Sequence, residues 1–253
     1  SILEEANITK FAHWLEKNGR QKFSDYQDIW RWSVEDIPGF WQSVWNYFDI
    51  IYDGEIVEIV SSDPMPDTRW FSGTYLNFAE QVLRNETVGD PDRTVLKHCS
   101  ELRPLTEMSW GDMGAQVRRL AIHLRDMGVE PGDRVAAYMP NIPETIIAML
   151  ATASIAAIWS SCSQDFGIKG VLDRFSQIEP KLIFTASGYQ YNGKQIDCLE
   201  KLQKILSDLP SVEKTIIVPF IRDCNAVSIN NSILWDDFLE SKLGDFYFEE
   251  LPF

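Results

Sequence analysis

The chain has 253 residues, a formal net charge of −15 and 45% hydrophobic residues. This size and composition are typical of a globular protein that buries a substantial core. The acidic balance excludes sequence-independent nucleic-acid binding, which requires a basic surface. No apolar run approaches the roughly 18 residues of a membrane span, and the charged N-terminus does not resemble a secretion signal. We therefore expect a cytoplasmic protein that binds neither nucleic acid nor membrane.

The cysteines and histidines do not show the spacing of a metal site. The four cysteines contain no CxxC pair, and the three histidines are scattered. We expect free thiols, as in a reduced cytosolic protein, and no metal site formed by these cysteines and histidines. The residues concerned are Cys99, Cys162, Cys198, Cys224, His13, His98 and His123.

The first part of the chain, residues 1–88, is predicted to be a mainly helical segment. Its apolar spacing predicts helices over residues 1–20, 25–33 and 37–48 and a strand over 55–60, and residues 69–83 continue into a helix that ends near Asn85. Six of the nine tryptophans lie in the first 70 residues, and this helical spacing of aromatic residues indicates core packing rather than a ligand site. Turn-forming and charged residues at 89–93 mark the predicted boundary.

The second part, residues 89–253, alternates strands and helices. A hairpin over residues 94–110 and a helix over 112–127 come first. Strands follow at 134–138, 158–161, 181–185 and 215–218, with helices at 143–157, 168–178, 195–206 and 232–240. Strands and helices that alternate at this length predict right-handed βαβ units and one parallel sheet flanked by helices, an α/β fold. At the start of the helix at 143, Asn141 and Glu144 have capping-box spacing.

Two stretches within this sheet carry a family resemblance. IWSSCSQDFG at residues 158–167 and VLDRFSQIEPK at 171–181 resemble the acetoacetyl-CoA synthetases of the adenylate-forming superfamily. The similarity extends over nearly the whole chain and includes WFSGTYLNFAEQVLR at 70–84 and YNGK at 191–194. It implies that the parallel sheet is the incomplete N-terminal half of an adenylate-forming enzyme.

One segment, residues 188–195, contains the nucleotide-binding pattern GxxxxGK. Three interpretations stay open there. A true P-loop is disfavoured because Gln195 stands where a Ser or Thr would hold Mg²⁺. A surface loop between a strand and a helix is the second interpretation. The third follows from the resemblance, which implies that Lys194 and Ser163 lie on the CoA side of the enzyme. The sequence departs from the pattern of the acetyl-CoA synthetases at two places. Tyr191 replaces an expected arginine, and residues 163–165 stand where those enzymes have glycines.

The resemblance also implies a reaction. Acetoacetate attacks the α-phosphate of ATP to give an acyl-adenylate, and the thiol of CoA then displaces AMP, with Mg²⁺ on the phosphates. The family's Ser/Thr/Gly-rich loop and later ATP motifs are not found in this sequence, so no catalytic residue is assigned.

We expect the N-terminal part of a longer polypeptide, truncated before its phosphate-binding loop. Such a chain would be inactive by itself and would bind no cofactor tightly. Its partners would be the rest of the same polypeptide and the substrates acetoacetate, ATP and CoA. The alternative is a non-catalytic α/β binding or interaction module that shares the scaffold.

Overall fold

The computed structural model describes residues 2–20, 22–221, 229–239 and 244–253. The chain forms two compact units: the first unit is Ser1–Leu76 with Leu251–Phe253, and the second unit is Asn77–Glu250. The boundary predicted between residues 88 and 89 stays a prediction. Cys224 and Glu240, the end of the last predicted helix, lie outside the described residues.

The helices are α1 (Ile2–Glu5), α2 (Asn7–Lys17), α3 (Tyr26–Glu35), α4 (Ile37–Tyr47), α5 (Phe78–Leu83), α6 (Asn85–Val88), α7 (Trp110–Asp126), α8 (Pro143–Ser154), α9 (Ile168–Ile178), α10 (Leu199–Ser207) and α11 (Trp235–Leu239). The strands are β1 (Asp53–Val60), β2 (Trp70–Leu76), β3 (Thr94–His98), β4 (Thr106–Ser109), β5 (Arg134–Tyr138), β6 (Ile158–Cys162), β7 (Leu182–Ala186), β8 (Gly188–Tyr191), β9 (Lys194–Asp197), β10 (Lys214–Val218), β11 (Ser232–Leu234) and β12 (Leu251–Pro252). Among the described residues, no helix is long and apolar enough to cross a membrane.

The first unit combines the predicted helices with an antiparallel sheet. Side chains of Asp25 and Asp36 cap α3 and α4, each accepting a hydrogen bond from a backbone N–H of the first turn. The strands are ordered β1-β2-β12. Strand β2 was not predicted from the sequence. Residues 70–76 form this strand, and only residues 78–83 form the predicted helix. Residues 70–76 are a strand because they pair with β1 and β12, and this pairing leaves no local periodicity from which the strand could be predicted.

The second unit is built on a five-stranded parallel sheet in the order β11-β10-β7-β5-β6. All four predicted strands belong to it, so the predicted fold class is confirmed. Alternate residues of β5 enter two different cores, Val135 on one face and Ala136 on the other. Helices α7 and α8 cover the first face and α9 and α10 the second, which makes the sheet buried on both sides.

The predicted capping box of α8 is wrong. Ile142 is the N-cap residue, and no side chain bonds to the first turn. The carboxylate of Glu144 instead accepts a hydrogen bond of 2.7 Å from the guanidinium of Arg103, which lies in the loop between β3 and β4. A long-range ion pair has therefore replaced the expected local contact. The helix also ends earlier than predicted, at Ser154.

The helix predicted over residues 195–206 begins only at Leu199. Residues 194–197 instead form strand β9, which pairs with β8 in an antiparallel hairpin. Asn192 and Gly193 form its two-residue turn with φ angles of 51° and 73°. Asn-Gly between two strands is the strongest short-range signal for such a turn, because both positions require positive φ. The hairpin was therefore readable from the sequence, although the prediction began the helix at residue 195, inside the second strand of the hairpin.

Candidate functional site

The strand order locates the ligand-binding edge of the sheet. The chain forms β5 first, then β6 on one side of it, and then β7, β10 and β11 in succession on its other side. In open α/β sheets, ligands bind outside the carboxyl ends of the strands, where the order reverses. Here this point lies between the carboxyl ends of β5 and β7, and we call this side of the sheet the carboxyl edge.

The loop after β6, residues 163–167, crosses the reversal point and is fixed there. The side-chain amide of Gln164, which is only 1% exposed, donates a hydrogen bond of 2.6 Å to the carbonyl of Ala186 at the end of β7. The hydroxyl of Tyr138, at the end of β5, lies 2.8 Å from the carbonyl oxygen of Gln164. Burial raises the pKa of Tyr138, which therefore stays a neutral donor. These contacts hold one loop against two neighbouring strands.

The β8–β9 hairpin follows β7 at the same edge. It contains the whole GxxxxGK pattern, and the glycine and lysine at its end lead into strand β9 rather than into a helix. A P-loop needs a helix N-terminus at this point to receive phosphate, so the P-loop interpretation is wrong. The second interpretation, a surface connection between a strand and a helix, stays open: the segment connects β7 to α10, as a regular hairpin rather than an irregular loop.

Ser163 lies in the loop after β6 and is exposed. Its hydroxyl donates a hydrogen bond of 3.1 Å to the carboxylate of Asp165. Asp165 is in turn hydrogen-bonded to Tyr189 of β8, and burial together with this bond raises the pKa of Tyr189 to about 12. The loop that carries Ser163 is thus tied to the hairpin that carries Lys194.

Lys194 is the first residue of β9, is exposed, and pairs with Tyr191 across the hairpin. Within the described part of the chain, its ammonium has no hydrogen-bonded or ionic partner, so no hydrogen bond joins it to Ser163. The turn beside it is held by Glu101, which accepts hydrogen bonds of 2.7 Å from the N–H groups of Asn192 and Gly193. The structure therefore places both predicted residues at the carboxyl edge, and their assignment to CoA stays a prediction.

Two further cations lie near the loop at residues 163–167 and were not predicted from the sequence as site residues. The ammonium of Lys201, on α10, donates a hydrogen bond of 3.3 Å to the carbonyl of Gln164. The guanidinium of Arg174, on α9, lies 4.5 Å from the ring centre of Phe166. Arg174 lies within the string at residues 171–181, but no local spacing relates either cation to the loop, since each meets the loop only after its helix has packed on the sheet.

The two buried cysteines near the site are not reactive. Burial raises the pKa values of Cys162 and Cys198 to about 11, so both thiols stay protonated and unreactive near neutral pH. Among residues 2–20, 22–221, 229–239 and 244–253, no group of three or more His, Cys, Asp or Glu side chains could hold a metal ion. What the edge supplies is a set of donors and cations suited to an anion.

Two family models match the chain in succession. The model described as "Acetyl-coenzyme A synthetase N-terminus" matches residues 26–82, and the model described as "AMP-binding enzyme" matches residues 83–235. The second match alone includes more than half of the chain.

Curated relatives and solved structures point the same way. The chain is 41% identical over 241 residues to an acetoacetyl-CoA synthetase of Danio rerio, covering 91% of this chain and 35% of the relative. It is 40% identical over 255 residues to the acetoacetyl-coenzyme A synthetase of Rhizobium meliloti, covering 100% of this chain and 38% of the relative. The solved acetoacetyl-CoA synthetase from Streptomyces lividans matches with a TM-score of 0.92 at 33% identity, over 99% of this chain and 38% of that chain. The resemblance inferred from the sequence is confirmed, and the chain spans little more than a third of the length of these relatives.

Proposed function

This chain belongs to the AMP-binding enzyme family, and from that membership we propose that it forms the first part of an acid–thiol ligase for acetoacetate. The ligase would activate acetoacetate with ATP as an acyl-adenylate and then transfer the acyl group to CoA. The observation that carries this proposal is the similarity of about 40% identity to acetoacetyl-CoA synthetases along the entire chain. The strings at residues 158–167 and 171–181 support acetoacetate as the acid.

Both half-reactions build negative charge on phosphate oxygens, which needs preorganised cations, N–H donors and Mg²⁺. The described residues supply a few cations at the carboxyl edge but no group of three or more side chains that could hold a metal ion. We therefore propose that the 253-residue chain alone does not form the adenylate, and that the remainder of a longer polypeptide supplies this machinery.

The test is acetoacetate-dependent exchange of pyrophosphate into ATP. The purified 253-residue chain should give no exchange above a blank without protein, whereas the product of the complete reading frame should be active and should form acetoacetyl-CoA. Exchange by the short chain would contradict its proposed inactivity. A reading frame that stops directly after the codon for Phe253 would overturn the ligase proposal, and the alternative of a non-catalytic binding module would replace it.

At the carboxyl edge, we propose that Lys194 and Ser163 lie on the CoA side of the ligase. An exposed charged contact of this kind contributes about 0.2–1 kcal/mol. Lys194→Ala in the complete enzyme should therefore raise KM for CoA about two- to fivefold, with unchanged pyrophosphate exchange. A matched control is Lys214→Ala, because this exposed lysine begins β10 at the opposite edge of the sheet. Loss of exchange with an unchanged KM for CoA would refute the CoA assignment.

We also propose that the protein acts in the cytoplasm, in ketone-body and lipid metabolism. The free thiols Cys99, Cys162 and Cys198 support a reducing compartment. Cell fractionation with an antibody checks this placement, and recovery in a secreted or membrane fraction would contradict it.

A further inference from the structure

The sequence contains two Asn-Gly dipeptides, Asn18-Gly19 in the first unit and Asn192-Gly193 in the turn of the β8–β9 hairpin. All four residues are exposed. A side-chain carbon on either glycine would have no heavy atom of the described chain within 4 Å apart from its chain neighbours, so the fold leaves the main chain open at these positions. Since glycine has no side chain to obstruct its own nitrogen, an asparagine before glycine is open to attack by that nitrogen on its side-chain amide.

The acceptor of the glycine N–H differs between the two dipeptides. The N–H of Gly193 donates a hydrogen bond of 2.7 Å to Oε2 of Glu101, from the loop between β3 and β4, and Oε1 accepts from the N–H of Asn192 at 2.7 Å. These two hydrogen bonds hold the pKa of Glu101 below its usual range, so the acceptor carries a full negative charge at neutral pH. The N–H of Gly19 meets the main-chain carbonyl of Glu16 at 3.3 Å. The structure thus places an anion against one of the two nitrogens and a neutral carbonyl against the other.

Deamidation of such a dipeptide begins at this N–H. The backbone nitrogen of Gly193 gives up its proton to hydroxide and attacks Cγ of Asn192. The side-chain nitrogen of Asn192 takes up a proton and leaves as ammonia, and a succinimide ring remains. Water then opens the ring at either of its carbonyl groups to give aspartate or isoaspartate. The net change is the uptake of water and the release of ammonia, with no oxidant or reductant.

The carboxylate of Glu101 opposes the first step in two ways. It engages the proton that has to leave, and a charge-assisted hydrogen bond is stronger than a neutral one. Its negative charge also raises the free energy of the amide anion on the nitrogen of Gly193, because like charges repel. Glu101 is exposed, so its carboxylate can leave the turn for water, and the nitrogen reacts in those molecules.

We propose that Asn192 is a site of spontaneous deamidation, and that Glu101 sets the rate by guarding the N–H of Gly193. The reaction also weakens its own guard. Either product adds a carboxylate at residue 192 that repels Glu101, and isoaspartate lengthens the main chain of the turn by a methylene group. The contact that fixes the loop between β3 and β4 to the hairpin is therefore lost as Asn192 reacts. The modification depends on this chain alone and not on the function proposed above.

Removal of the charge of Glu101 should accelerate the reaction. Glu101→Gln keeps the size of the side chain and an acceptor oxygen but loses the negative charge. The deamidation rate of Asn192 should rise about three- to tenfold, the change expected for a full charge at this range in water. If Glu101 instead acted as a base that removes the proton from Gly193, the same substitution would slow the reaction. The sign of the effect therefore separates a guard from a base.

The experiment is incubation of the 253-residue chain at neutral pH and physiological temperature. Conversion of Asn192 is followed by peptide mass mapping and by an isoaspartate assay. Asn18 in the same sample is the internal reference, because its rate should be equal in the unaltered chain and in Glu101→Gln. Glu58→Gln, at an exposed carboxylate in the first unit, is the charge-matched control and should leave the rate at Asn192 unchanged.

Hydrogen exchange measures the same N–H without any substitution. Exchange and deamidation both start when hydroxide removes this proton, and Gly193 and Gly19 both follow asparagine, so their intrinsic exchange rates match. In the unaltered chain, the N–H of Gly193 should exchange with deuterated water more slowly than that of Gly19. Equal or slower deamidation in Glu101→Gln would overturn the guard, as would exchange of Gly193 as fast as that of Gly19. If Asn18 is converted and Asn192 stays intact in both chains, the modification site itself is refuted.

Discussion

The two units of this chain are stabilised by different kinds of core. In the first unit, the packing is aromatic: Trp45 stacks on Phe71 with 4.1 Å between ring centres, and Phe11 meets Tyr47 edge to face at 5.0 Å. In the second unit, mostly aliphatic side chains fill both faces of a parallel sheet. Aromatic rings interact by specific geometry in addition to area, whereas an aliphatic core depends on volume and close packing. We therefore expect the free energy of unfolding of the two units to change by different amounts when a buried ring is replaced by a smaller side chain.

The largest effect is expected in the sheet core. Phe184→Ala removes a ring that is 0% exposed, in the central strand β7, and leaves a cavity that the flanking strands cannot close. We expect a loss of about 3–5 kcal/mol in the free energy of unfolding, measured by urea denaturation with far-UV circular dichroism. Phe78→Ala is the control, because that ring is 59% exposed and should cost no more than about 0.5 kcal/mol. Similar losses from both variants would contradict a close-packed core around β7.

An intermediate effect is expected in the aromatic core. Trp45→Leu keeps an apolar side chain but removes the ring contacts with Phe71 and Tyr52. Since each aromatic pair adds about 0.5–1.5 kcal/mol beyond its buried area, we expect a loss of about 2–3 kcal/mol. Trp30→Leu, at a tryptophan that is 51% exposed, is the matched control. A loss below about 1 kcal/mol at Trp45 would contradict stabilisation of the first unit by these ring contacts.

The smallest effect concerns an ion pair of the second unit. Asp133 accepts hydrogen bonds from the ammonium of Lys181 at 2.8 Å and from the N–H of Glu130 at 2.9 Å. Burial by itself would raise the pKa of Asp133, but these partners outweigh it and the net pKa is lowered. The pair therefore stabilises the fold above the pKa of about 3.9 that Asp has in the unfolded chain, and this contribution disappears as pH falls through the lower folded value.

The corresponding variant is Asp133→Asn. It should lose about 0.2–1 kcal/mol of unfolding free energy at pH 7, as expected for a partly exposed pair. The difference from the unaltered chain should shrink as the pH is lowered toward 3, because the unaltered carboxylate then becomes protonated too. A difference that grows on acidification would show that the carboxylate of Asp133 is not the stabilising group.

Those parts of the candidate site that depend on patterns of adjacent residues could be predicted from the sequence. The strands at 134–138 and 181–185 identified the parallel sheet, and hence the edge at which Ser163 and Lys194 lie. Asn192-Gly193 also indicates the hairpin turn, but the helical pattern that follows it was extended too far toward the N-terminus in the prediction. Local patterns of equal strength can thus compete, and only the ladder between β8 and β9 decides between them.

By itself, the sequence determined the βαβ alternation, the helices of the first unit and the family resemblance, because each depends on periodicity or on strings of adjacent residues. Only the tertiary structure decided that residues 70–76 form a strand, that Glu144 pairs with Arg103 and that Glu101 holds the hairpin turn. Each of these contacts joins residues far apart in the chain. Which residues meet in these contacts depends on how whole strands and loops pack, and the spacing of residues within a single segment does not encode that packing.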